Sequence, residues 1–120
     1  MSASEIARLP PFKIKARQGP APHDLEVRDV RKGFGAVMKP GDTTLLDWGE
    51  TAYGEATEAS PRREGQPQKL TFDGMLAGWE QGLPGMKVGG RRELIVPPRL
   101  GDTGTTMIYQ IDLLAIEPPN

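Results

Sequence analysis

Between Gly78 and Pro98 the chain reads GWEQGLPGMKVGGRRELIVPP, and this stretch limits the fold more than any other. Met75, Leu76, Trp79 and Leu83 fall at i, i+1, i+4 and i+8, one side of a helix about two to three turns long with Asp73 as its expected N-cap. Gly82 and Pro84 stop that helix. A glycine-rich turn follows, and Arg92 to Val96 then reads as a strand closed by Pro97-Pro98. A short helix with one apolar side, joined through a turn to a strand, encloses a core only when it packs across a sheet.

The rest of the chain supplies that sheet. Phe12, Ile14 and Ala16 alternate with Lys13 and Lys15, which suits a half-buried edge strand ended by Gly19-Pro20-Ala21-Pro22. Leu25 and Val27 alternate with Glu26 and Arg28 until the turn at Lys32-Gly33-Phe34-Gly35, and Lys39-Pro40-Gly41-Asp42 makes another turn. Thr44, Leu46 and Trp48 share one face of the next strand, so Trp48 is expected to point inward with Leu46. From Gly49 to Pro67 the composition is too polar for a core and reads as a long excursion between strands, the kind of loop that often carries function. Lys69 to Phe72 is a short strand, and Met107, Tyr109, Ile111 and Leu113 alternate with Ile108, Gln110, Asp112 and Leu114 in a long, central last strand. The expectation is an α+β domain over residues 11–118, an antiparallel β-sheet wrapped around one short α-helix, behind a flexible leader of residues 1–10.

Several chemistries are excluded by residue type. The 120 residues contain no cysteine and a single histidine, His23, which removes thiolate zinc sites, cysteine nucleophiles and redox pairs and argues against a histidine-based triad. No metal or cofactor is expected. Fifteen basic against 16 acidic residues give a net charge of -1, so neither nucleic acid nor an anionic membrane is an expected partner. The start of the chain shows no export signal and no apolar run long enough to span a bilayer, from which a cytoplasmic location is expected. Gly89-Gly90-Arg91-Arg92 lacks the loop-to-helix geometry and the Lys-Ser/Thr ending of a phosphate loop, and Asp102-Thr103-Gly104 offers one acid where a calcium loop needs several.

By pattern alone Trp79 reads as a core residue, and Trp48 and Tyr109 divide evenly between core and pocket wall. The wider signature changes this. Gly78 to Pro98, together with Gly19-Pro20-Ala21-Pro22, Leu25, Pro40-Gly41-Asp42 and Gln110-Ile111-Asp112-Leu113-Leu114, resembles the FKBP-type peptidyl-prolyl isomerases from Pro11 to Glu117. The resemblance implies a cofactor-free rotation about X-Pro bonds, whose barrier of roughly 18–20 kcal/mol comes from amide resonance. It implies that Trp79 floors an apolar pocket, that Met75 and Leu76 meet the bound peptide through their backbone, and that Trp48 and Tyr109 stand where the family has a wall Tyr and a Phe. The family's Phe-Asp pair falls on Thr57-Glu58, its Arg partner on Arg63 and a further wall Phe on Gln68. Leu100-Gly101-Asp102-Thr103-Gly104 runs almost directly into Thr105, which leaves little of the family's apolar flap and puts Asp102 where a Tyr hydroxyl binds a carbonyl. The implied catalytic set is therefore Trp79, Trp48, Tyr109 and Glu58, with Met75, Leu76, Arg63, Thr57, Gln68 and Asp102 binding substrate. The implied partners are proline-containing peptides or client proteins and rapamycin-type macrolides, met by a monomer. Three readings stay open: an isomerase of weak or altered activity, a non-catalytic binding or chaperone module, and an enzyme that has reused the cavity for other small-molecule chemistry.

Overall fold

The computed structural model describes residues 1–60 and 67–117, with residues 57–60 described by backbone alone. Seven strands are present among them: β1 (Phe12–Ile14), β2 (Glu26–Arg31), β3 (Thr43–Ala52), β4 (Thr57–Ser60), β5 (Gln68–Thr71), β6 (Arg91–Val96) and β7 (Met107–Glu117). Two helices accompany them, α1 (Ala3–Ala7) and α2 (Ala77–Gly82). Five strands form one antiparallel sheet in the order β2-β6-β7-β3-β5, and β1 pairs with β4 in a separate ribbon. This is the expected α+β architecture with the last strand at its centre.

β7 is central because both of its faces are apolar enough to be covered. Tyr109, Ile111 and Leu113 join Trp79, Leu46 and Leu94 in the main core, on the helix side. Ile108 packs with Ile14 and Ile95 on the opposite side, where β1 crosses the sheet. The crossing is close, since a Cβ on Gly49 of β3 would lie 2.8 Å from the Phe12 Cβ.

The side under β1 also buries charge. Arg91 grips Asp112 with two hydrogen bonds, from Nε to Oδ1 at 2.7 Å and from Nη2 to Oδ2 at 2.8 Å, and its guanidinium lies 4.2 Å from the centre of the Phe12 ring. The same guanidinium donates to the carbonyls of Pro10 and Pro11, and the side chain of Gln110 donates to Lys13 O at 2.8 Å. Side chains thus stand in for the ladder bonds that β1 does not make with β7. Residues 1–10, read from sequence as a loose leader, hold α1 behind a Ser2–Glu5 capping box, and the Met1 ammonium donates to Leu114 O at 3.1 Å. The Ser-x-x-Glu spacing was the available signal for that helix.

Three expectations change. The Trp-bearing helix spans six residues rather than two to three turns. Asp73 does not cap it, because Phe72–Gly74 form a 3-10 turn and Met75 and Leu76 are extended, which makes Leu76 the N-cap. The excursion after Gly49 is also shorter, since β3 stays paired with β7 to Ala52 and β4 pairs with β1.

α2 lies unusually close to β6. A Cβ on Gly78 would come within 2.7 Å of Val96 Cγ1, and one on Gly82 within 2.8 Å of Leu94 Cδ2. The two glycines, one helical turn apart, let the helix backbone rest on the side chains of the strand. Gly78→Leu is expected to lift α2 and to cost about 1–3 kcal/mol by overpacking, read as a lower urea midpoint with a red-shifted tryptophan emission. An unchanged midpoint would show that the close approach carries no stability.

Burial pushes the Glu93 carboxyl up, but hydrogen bonds from Gln110, Arg28 and Arg17 and the charge of Arg28 outweigh burial and hold it below its ordinary value of 4.5. A depressed carboxylate contributes stability that is present above its unfolded value and is lost as pH falls through the folded one. Glu93→Gln is therefore expected to flatten the acid limb of stability below pH 4.5, and an unaltered limb in urea melts at stepped pH would refute this.

Candidate functional site

The link between β5 and α2 is extended where it crosses the edge of the sheet, and a cavity of about 270 Å³ opens there. Its floor is Trp79, fixed by the first turn of α2, where Leu76 O accepts from the backbone N–H groups of Trp79 and Glu80, both at 2.9 Å. Trp48 meets that indole edge-on at 4.9 Å and 82°, and Tyr109 does the same at 5.3 Å and 84°. Perpendicular contacts of this kind align ring edges with ring faces and fix the orientation of Trp79. Trp79 is only 4% exposed yet lines the cavity, so the indole is covered by its neighbours without being sealed beneath them. Its Nε1 is buried with no hydrogen-bond partner among the described residues.

Six of the expected site residues meet at this hollow: Trp48, Met75, Leu76, Trp79, Asp102 and Tyr109. Trp48 is half-buried, packing against the core cluster that holds Leu46 while also lining the cavity. Gln68 lies on β5 opposite Leu46 and does not line the hollow, where Leu70 of the same strand takes part. The side chains of Thr57 and Glu58, and all of Arg63, lie outside the described residues.

Sequence reasoning missed Leu70, Gly74 and Glu50. Glu50 stands two residues beyond Trp48 on the same face of β3, and strand alternation from that Trp was the signal for it. Trp48 Nε1 donates to Glu50 Oε1 at 3.1 Å, which sets a carboxylate beside the aromatic wall. Burial first, then the charges of Glu50 and Asp102, push the Tyr109 phenol up to about 12. The hydroxyl is therefore a standing hydrogen-bond donor at neutral pH. Among the described residues, no group of three or more His, Asp and Glu could hold a metal ion.

A raised phenol favours the folded state below its unfolded value and loses that contribution as pH rises through the folded one. In a spectrophotometric titration of the phenolate band, Tyr109→Phe is expected to remove a transition near pH 12. Removal of a transition near the ordinary value of 10 would contradict the geometry.

An antiparallel sheet is crossed by one short helix, and an indole-floored hollow opens between them. The family model described as FKBP-type peptidyl-prolyl cis-trans isomerase matches residues 35–113, and the chain belongs to that family. It is 36% identical over 114 residues to a probable FK506-binding protein of Corynebacterium glutamicum, covering 86% of this chain and 96% of that one. Among solved structures it resembles FkpA from Escherichia coli, with a TM-score of 0.67 at 26% identity over 96% of this chain and 55% of that one. It also resembles the putative peptidyl-prolyl cis-trans isomerase FKBP12 from Mycobacterium tuberculosis, with a TM-score of 0.61 at 29% identity over 80% of this chain and 86% of that one. The protein is thus an isomerase of the FKBP type, with proline-containing segments as its substrate class. No helix among the described residues is long and apolar enough to cross a membrane.

Proposed function

We propose that the cavity over Trp79 is where an X-Pro bond turns. The observation that carries this reading is an indole fixed by two perpendicular aromatic contacts at the bottom of an open hollow, with its own N–H left unpaired. The pyrrolidine ring of the substrate rests on Trp79 between Trp48 and Tyr109, and the extended backbone at Met75 and Leu76 runs beside the peptide.

No bond is made or broken. The planar amide owes its barrier to charge separation between carbonyl oxygen and nitrogen, and the twisted amide has less of it, so an apolar site favours the twisted form. The Tyr109 hydroxyl is a donor for a substrate carbonyl, and because it is fixed in place it needs no reorganisation as the bond turns. By the family resemblance Glu58, Thr57 and Arg63 are proposed to complete the wall and rim, while Leu70 takes the place expected of Gln68 on β5.

The activity is proposed to be weak. Asp102 to Thr105 are exposed in the turn between β6 and β7, so that turn brings no apolar cover over the hollow. An ionised Asp102 accepts hydrogen bonds and cannot donate one to a carbonyl. A millionfold acceleration requires about 8 kcal/mol of differential stabilisation, and a wet, half-roofed pocket supplies less than that. We further propose that the chain acts as a monomer and that a rapamycin-type macrolide occupies the same hollow.

Exchange spectroscopy on short Xaa-Pro peptides is expected to show catalysis well below that of flap-bearing relatives. Trp79→Leu, checked for folding by circular dichroism, is expected to lower kcat/KM by about tenfold or more, a loss of about 1.4 kcal/mol of transition-state stabilisation. Full activity in a folded Trp79→Leu protein would overturn the assignment.

A further inference from the structure

The carboxylates of Glu50 and Asp102 line the same cavity as Trp79, and the described lining includes no lysine, arginine or histidine. Neither acid has a cationic partner among the described residues, whereas Glu93, Asp112 and Asp29 are each paired with arginine. Glu50 is held at the edge of Trp48 by the indole N–H, and its charge and that of Asp102 both reach the Tyr109 phenol. A second observation, apart from the acids, points to a ligand at this hollow: Trp79, 4% exposed and lining it, keeps an unpaired buried N–H.

Resting on the isomerase reading of this pocket, we propose that Glu50 and Asp102 select X-Pro segments carrying a lysine or arginine immediately beside the proline. The aliphatic stem of such a side chain would lie along Trp48 while its cationic head reaches the carboxylates. A carboxylate in the same place would meet two like charges. An aromatic wall bearing an acid favours a cation twice over, through the ring face and through the charge.

The test compares peptides that differ only in the residue before or after proline, with Lys, Leu or Glu in each place. Turnover is read by exchange spectroscopy and binding by tryptophan fluorescence, so that selectivity is measured whether or not the bond turns. Lys is expected to exceed Glu about five- to tenfold in at least one of the two places, the scale of one or two exposed ion pairs. The ratio is expected to fall toward one in the Glu50→Gln, Asp102→Asn double variant, and also in about 1 M salt, where the screening length is about 3 Å.

Turnover with no Lys-over-Glu preference in either place would overturn the selectivity and leave the isomerase reading standing. Lys-selective binding without turnover would uphold the selectivity and overturn catalysis. Absence of binding by every peptide would overturn both, and a preference that survives the double variant would assign it to other residues.

Discussion

The close approach of α2 to β6 is the constraint on which the site depends. Gly78 and Gly82 leave no room between helix backbone and the side chains of Val96 and Leu94, so the six-residue helix has one seat on the sheet. A helix this short is not stable by its own hydrogen bonds. Its position comes from packing, and the ring it carries inherits that position. Trp79 is locked between Trp48 of β3 and Tyr109 of β7, so the pocket floor is registered against two neighbouring strands as well as against the helix.

The opposite side of the sheet supports this arrangement by a different physics. There Arg91 and Asp112 form a bidentate pair with side chains 4% and 0% exposed, and Gln110 bridges Glu93 to the backbone of β1. Such a pair gains little net stability over apolar packing, because both charges lose their water, but it tolerates few geometries. Residues Gln110 and Asp112 alternate along β7 with Tyr109 and Ile111. The register that satisfies the polar side therefore also points the Tyr109 ring at Trp79, and a slip of one residue would exchange the two sides.

Much of this was legible in the chain. Alternation found β1, β3 and β7 because each has one side that repeats an apolar residue every second position, and the Gly78 to Pro98 stretch carried the order of helix, turn and strand. The helix was read too long because Met75 and Leu76 are apolar and lie at helical spacing from Trp79, yet both are extended so that the chain can skirt the cavity. Functional geometry there overrides periodicity, and Asp73 loses its cap role as a result. β4 escaped notice because its partner is the short ribbon strand β1 rather than the core sheet, so its composition has no need of apolar alternation. Glu50 was missed for a related reason: beyond Trp48 the strand continues on hydrogen bonding with β7 while its exposed side chain serves the cavity and not the core.

The unpaired Trp79 Nε1 separates a pocket floor from an ordinary core residue. A buried N–H without an acceptor costs about 1–3 kcal/mol, and a leucine or phenylalanine at the same place would avoid that cost. Retaining an indole therefore makes sense where its broad face has work that a smaller ring does less well, and where the surroundings are kept apolar at the expense of hydrogen bonding. At the rim, burial first and then the charges of Glu50 and Asp102 raise the Tyr109 phenol. An acid at either place does not improve the core. Its consequence is a cavity with an apolar floor at Trp79 and a negative edge at Glu50 and Asp102.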